Sequence, residues 1–298
     1  MITCNMSELL KDLTIFAPAK VNLHLVIKNK RSDGFHNLES LFFAVNFGDS
    51  LHFSPTHEEN VIEITMKGQS CDVPLRDNII FKAISLFREK TGFNRGFKIT
   101  VEKRIPLGSG LGGGSSNAAS ALLVLNKLAG FPLERESLFE LGAALGSDVP
   151  FFLHETPAAW VTGRGEHIEA VEAPSLFLTL VNPGFPSHTA AAYRLFDEHR
   201  EQSKRFYTEE TEINRERGEL FRWEKFRNDF LDIFPKTEKN IYNTIISSLQ
   251  NLGAEFAGLS GAGSTCFGVF AKKEQAEKAA ESLRKIWKFA QTATNAFV

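Results

Sequence analysis

The chain has 298 residues, room for one large domain or for two of about 150. It is 43% hydrophobic and 23% charged, with a net charge of −2, so the composition is that of an ordinary globular protein and the overall charge attracts no polyanion such as nucleic acid. Three scattered cysteines, Cys4, Cys71 and Cys266, exclude a disulfide scaffold, and no apolar run reaches the length of a membrane span or a signal-peptide core, so the expectation is a cytoplasmic chain with free thiols.

Residues 14–28 read as two short strands broken at Pro18; in the second, Val21, Leu23, Leu25 and Ile27 alternate onto one face. Ser32-Asp33-Gly34 is a turn signal, and strand-like stretches follow at 38–46, 50–54 and 61–66. Ile80, Ala83, Ile84 and Phe87 give residues 79–90 helical spacing. Residues 96–104 read as a strand that runs into Pro106, Leu107, Gly108, Ser109, Gly110, Leu111, Gly112, Gly113, Gly114, Ser115 and Ser116. The spacing then predicts a helix over 115–129 with a single charge, Lys127, and apolar residues on most sides, the profile of a buried helix. A second helix over 134–146 ends at Gly146, a break follows at Ser147-Asp148-Val149-Pro150, and residues 151–181 read as strand-like segments. The dense mixed charges of 197–227 predict exposed helix and a variable surface segment rather than a basic binding patch. Helices over 238–252 and 274–287 flank a second glycine-rich turn, Gly258 to Ser264, and a strand over 265–270. Strands and helices without strict alternation indicate an α+β fold, divided near Pro174 into residues 1–175 and 176–298.

Five glycines within seven positions, 108–114, remove side chains from one short stretch, which suits close backbone approach or positive φ. A glycine-rich turn entering a helix puts unpaired N–H groups and the positive end of a helix dipole at one point, a phosphate site. No lysine follows the glycines, so a P-loop is excluded. Gly108-Ser-Gly110-Leu-Gly-Gly113 satisfies the dinucleotide spacing, but a second helix rather than a strand follows the first, which argues against a βαβ unit. A packing loop of small residues is the remaining alternative. Ser115 or Ser116 is a candidate helix cap or Mg²⁺ ligand. Asn22 lies two residues past Lys20, so on a strand both point the same way.

Pro106 to Ser116, after a strand and opening a buried helix, resembles the second motif of the GHMP kinases. Pro18-Ala-Lys20-Val-Asn22-Leu23 resembles their N-terminal motif, and Leu259-Ser-Gly261-Ala-Gly263-Ser264 their C-terminal glycine motif, in the family's order. Arg31 to Ser40, Leu145 to Phe152, Val181 to Thr189 and Arg227 to Phe230 extend the resemblance toward one group in the family, kinases of isoprenoid precursor synthesis whose acceptor carries a cytidine diphosphate group. The likeness runs from residue 14 to about residue 270; no motif covers 197–225.

The resemblance implies a two-domain GHMP kinase fold, with a ribosomal S5 domain 2-like N-terminal domain and a ferredoxin-like C-terminal domain. It implies ATP and Mg²⁺, a small-molecule acceptor, no nucleic-acid or membrane partner, and a monomer or homodimer. Asp148 takes the role of catalytic acid/base and Lys20 that of its cationic partner. The loop from Pro106 to Ser116 holds the ATP phosphates, with Ser116 as metal ligand. Asn22, Phe35, His36, Thr189, Asp229, Gly261 and Gly263 fall to the acceptor side, Phe35 and His36 holding cytosine. The group usually has tyrosine at the place of Phe35, and Ser109 stands where glycine is common. A homoserine or mevalonate type of GHMP kinase is the alternative.

Overall fold

A computed structural model describes residues 12–69, 73–203 and 223–297; Cys4, Cys71 and residues 204–222 of the mixed-charge stretch lie outside the described residues. The elements, in chain order, are β1 (Leu13–Lys30), β2 (His36–Pro55), β3 (Ile62–Gly68), α1 (Ile79–Thr91), β4 (Phe97–Lys103), α2 (Gly113–Leu128), α3 (Arg135–Leu145), α4 (Val149–Leu153), β5 (Ala158–Gly163), β6 (His167–Ala170), β7 (Phe177–Asn182), α5 (Thr189–Ser203), α6 (Lys236–Asn251), β8 (Phe256–Leu259), β9 (Cys266–Phe270), α7 (Lys273–Arg284) and β10 (Phe289–Ala293). The α+β class expected from the sequence is the class observed. Among the described residues two compact units form, one from residues 12–19 with those of Gly48–Leu107 and Gly112–Thr156, the other from Lys20–Phe47, Gly108–Leu111 and the described residues after Thr156.

In the first unit, β3 and β4 pair in parallel from Ile62 opposite Phe97 to Gly68 opposite Lys103, and β4 pairs antiparallel with the C-terminal part of β2. Helix α2 packs on α1, α3 and α4. Ala118, Ala121, Leu122 and Leu125 of α2 are fully buried, as are Phe53, Phe87 and Phe97. A helix hydrophobic on nearly every side is stable only in such a setting. In the second unit, β5 pairs antiparallel with the N-terminal part of β2 and with β6. A separate antiparallel sheet runs β10-β7-β9-β8. Ala276, Ala279, Ala280 and Leu283 recur at helical spacing and bury one face of α7, which packs on that sheet; Tyr242, Ile245 and Leu249 do the same for α6.

Several expectations change. Pro18 does not break β1, a single strand. Lys20, two residues on and pointing its N–H the same way, bonds Leu111 rather than β2, so a missing N–H at Pro18 costs no ladder bond. The stretches 38–46 and 50–54 are one strand, β2. Gly48 continues it because a Cβ there would stand 2.2 Å from the Ala17 carbonyl oxygen. Residues Val149–Leu153 are helical, not extended: Pro150 in the first turn has its φ preset, and a fully buried apolar run reads alike as strand or helix. Helix α2 begins at Gly113, two residues early, with Gly112 in the left-handed region as its cap and no capping side chain; neither serine caps it. Helix α5 begins at Thr189, before the charged stretch.

Candidate active site

On β1 the side chains of Lys20 and Asn22 leave the strand on the same side. The Lys20 ammonium donates to Asn22 Oδ1 at 2.6 Å and stands 4.7 Å from the centre of the Phe42 ring. Lys20 is 3% exposed, and an ammonium so enclosed requires compensation of this kind. Asn22 Nδ2 in turn donates to Ser40 Oγ at 2.9 Å, and Ser40 donates to the His24 carbonyl at 2.5 Å. The Asn22 backbone N–H donates to Ser260 Oγ at 3.2 Å, and that hydroxyl donates to the Gly110 carbonyl at 3.0 Å. The Lys20 backbone N–H donates to the Leu111 carbonyl at 3.0 Å, and the Thr265 N–H to that of Ser109 at 3.0 Å. Three segments more than 85 residues apart in sequence thereby meet around one ammonium. Close approach explains two of the glycines. A Cβ on Gly110 (φ +77°) would stand 2.1 Å from the Ser260 carbonyl oxygen. One on Gly261 (φ +55°) would stand 3.3 Å from Asn22 Oδ1 and 3.5 Å from Lys20 Nζ.

In the first unit, the approach to the glycine loop is fixed by Asp49. Its carboxylate accepts from the backbone N–H groups of Arg104 and Ile105, at 2.8 and 2.9 Å, and bonds the Lys103 ammonium, with both side chains buried. Pro106 and exposed Leu107 follow. Gly113, Gly114 and Ser115 form the first turn of α2, where backbone N–H groups lack helical partners. Ser115 is half-buried. Ser116 Oγ is enclosed and has no hydrogen-bond partner among the described residues. Ser115 Oγ stands 3.9 Å from where a Cβ on Gly146 would lie, so the turn carrying Asp148 borders the first turn of α2. Asp148 is half-buried and its carboxylate does not cap α4.

Elsewhere in the second unit, His36 is buried, its Nε2 2.7 Å from Asp197 Oδ1 and its ring stacked on Tyr193. Phe35 is half exposed, with the Arg164 guanidinium 5.3 Å from its ring centre. Thr189 is exposed at the start of α5. Asp229 is 7% exposed; Oδ2 accepts from the Ile27 N–H at 2.9 Å and Oδ1 pairs with Arg227 at 3.0 Å. Burial raises its carboxyl above the usual range despite these bonds. Both oxygens thus serve the chain itself. Gly263 lies against Tyr242 Oη. The structure therefore gathers Lys20, Asn22, Ser109, Gly110, Leu111 and Gly261 into one cluster, sets Phe35 and His36 apart on the turn after β1 and the start of β2, and places Asp229 in packing. Sequence reasoning did not single out Ser40, Ser260, Tyr193, Asp197 or the Asp49–Lys103 pair. Ser40 and Ser260 lay inside quoted motifs; the others carry no local signal.

Residues 78–156 match the GHMP kinases N terminal domain and residues 235–288 the GHMP kinases C terminal domain. The 4-diphosphocytidyl-2-C-methyl-D-erythritol kinase of Chloroherpeton thalassium is 36% identical over 274 residues, spanning 91% of this chain and 94% of that protein. A crystal structure of a 4-(cytidine 5′-diphospho)-2C-methyl-D-erythritol kinase superposes with a TM-score of 0.78 at 30% identity, covering 95% of this chain and 99% of that one. A homoserine kinase from Cytophaga hutchinsonii, at 18% identity and TM-score 0.67 over 96% of this chain and 94% of its own, shares the fold. With its three glycine and lysine motifs assembled and its likeness running nearly end to end, the chain belongs to the GHMP kinase family of small-molecule kinases.

Proposed function

We propose that this kinase transfers the γ-phosphoryl group of ATP to the 2-hydroxyl of 4-diphosphocytidyl-2-C-methyl-D-erythritol, giving the 2-phosphate and ADP, a step in isoprenoid precursor synthesis in the cytoplasm. The curated relatives at about one-third identity carry that activity in their name. The observation that carries the reading is the buried Lys20 ammonium, held by Asn22 where the glycine loop and the Ser260–Ser264 turn meet. Residues 1–175 form the nucleotide-binding domain in this reading, and 176–298 complete the acceptor side.

Phosphoryl transfer asks for a held donor, offset charge and an aimed acceptor hydroxyl. The backbone N–H groups of Gly113, Gly114 and Ser115 take the ATP phosphates at the positive end of α2. Asp148, bordering that turn, accepts the proton of the attacking hydroxyl. Lys20 offsets the charge of the phosphoryl group in transit, in a setting where little water screens it. Asn22 has both ends of its amide bonded within the chain, so it holds Lys20. The residues present fit a magnesium ion: Ser116 Oγ is an oxygen donor the chain leaves unused, Ser115 lies one residue away, and Mg²⁺ keeps most of its shell as water and substrate phosphate. When bound, the ion neutralises phosphate charge. His36 and Phe35 receive the cytosine ring.

Asp148→Asn is expected to keep the wild-type circular dichroism spectrum while kcat falls by about 10²–10⁴-fold. Formation of the 2-phosphate, followed by ³¹P NMR, measures it; turnover near wild type would remove Asp148 from its role.

A further inference from the structure

Tyr193 and Asp197 lie four residues apart on α5, so they share one helix face, and both meet His36. The His36 imidazole belongs to a residue 5% exposed. It stacks on Tyr193 with ring centres 5.1 Å apart and planes 12° apart, and meets Phe196 edge-on at 6.0 Å. Its Nε2 lies 2.7 Å from Asp197 Oδ1. An ionised carboxylate only accepts, so the ring proton in this bond sits on Nε2. The second oxygen, Oδ2, accepts from the Lys30 ammonium at 2.5 Å. Burial alone would raise the Asp197 carboxyl, but the bonds from Lys30 and His36 outweigh it and hold the group ionised, below its ordinary range. Among the described residues, His36 Nδ1 has no hydrogen-bond partner. A neutral imidazole protonated at Nε2 presents a lone pair at Nδ1. The buried ring therefore keeps one acceptor unused, with its plane set by Tyr193.

We propose that Asp197 is a positioning residue for base specificity: by keeping the His36 proton on Nε2, it leaves Nδ1 as an acceptor for the exocyclic amino group of cytosine and rejects uracil. The inference rests on the cytidyl acceptor proposed above. Cytosine offers an N–H donor at the position where uracil offers a carbonyl oxygen. Uracil against Nδ1 would set acceptor against acceptor and leave both unpaired out of water, the situation in which polar discrimination is largest. Lys30 has a part as well: it occupies Oδ2, so Asp197 meets the imidazole through a single oxygen in a fixed direction.

The test compares the cytidyl acceptor with its uridyl analogue. The wild type is expected to prefer the cytidyl compound in kcat/KM by about a hundredfold or more. In Asp197→Ala that ratio is expected to fall by about tenfold or more, through a higher KM for the cytidyl acceptor, with the KM for ATP unchanged. Asp197→Asn, whose amide oxygen still accepts from Nε2, keeps more of the ratio. A ratio unchanged in Asp197→Ala overturns the inference and leaves the proposed activity standing. A wild type that turns over neither acceptor overturns the proposed activity and the inference with it. Imidazole ¹⁵N shifts of the wild-type protein add a reading that needs no variant: His36 protonated on Nε2 is the expected result, and a proton fixed on Nδ1 contradicts the role given to Asp197.

Discussion

The Lys20 ammonium is held by groups that a single strand cannot supply. Its acceptor, Asn22, is a neighbour on the same strand, but Asn22 is itself pinned by Ser40 from β2 and Ser260 from the turn after β8. Asn22→Ala removes one acceptor of the buried ammonium and the side-chain link from it to Ser40. The expected result is a loss of kcat of about tenfold to a hundredfold, with Asn22→Asp recovering part of it, in steady-state assays at saturating ATP. His24, on the same strand, shows a different consequence of burial. Its Nδ1 accepts from the Arg227 N–H at 3.2 Å, while Nε2 has no partner among the described residues. Burial first, and then the nearby Arg227 and Lys28 charges, push its pKa down to about 3. The unfolded chain then binds a proton that the folded chain refuses between the ordinary value of 6.5 and about 3. Stability from this group is therefore full above that window and is lost as pH falls through it, by up to roughly 5 kcal/mol. Urea unfolding at about pH 6 and about pH 4 checks this: His24→Phe is expected to flatten the decline, and an unchanged slope would assign the acid sensitivity to other groups.

At the scale of elements, periodicity carried the helices well and the strands less well. The apolar spacing of 79–90 matches α1 within a residue, and 134–146 matches α3, because each buries one face and caps at a glycine. Strand continuity was hidden: Pro18 and Gly48 are breakers by type, and only the direction of an unneeded N–H and the closeness of the Ala17 carbonyl show why the chain runs straight through them. The five-residue α4 looked like a strand because buried apolar runs of that length have no period to read. The motif residues of the site were legible, since glycines and a strand lysine stand out by type. Their supports were not, since Asp49, Ser40 and Asp197 act across gaps of 16 to 161 residues. Asp49 yields a test at this scale. Asp49→Asn leaves Lys103 buried without its counter-charge and weakens two backbone bonds at the loop entrance, so it is expected to cost about 3–5 kcal/mol and to raise the KM for ATP. Asp49→Asn combined with Lys103→Met is expected to regain part of the stability; chemical denaturation of both variants measures it. Gly110→Ala has no room at 2.1 Å from the Ser260 carbonyl, and its φ of +77° is strained for alanine. A loss of about 2 kcal/mol or more in thermal melting, with loss of activity, is the expected outcome.

At the scale of the whole molecule, the fold is shared both with a 4-(cytidine 5′-diphospho)-2C-methyl-D-erythritol kinase and with a homoserine kinase, so the fold does not choose the acceptor. In the proposed reading the choice lies in the segment from Arg31 to His36 and in the face of α5 whose Tyr193 and Asp197 meet His36. A panel of acceptors tests the account most directly. Purified protein with ATP and Mg²⁺ is given 4-diphosphocytidyl-2-C-methyl-D-erythritol, mevalonate or homoserine, and ADP release is followed. The account predicts ADP release with the cytidyl compound alone, matched by one equivalent of its 2-phosphate. ADP released equally with mevalonate or homoserine, or not released with the cytidyl compound, would contradict it.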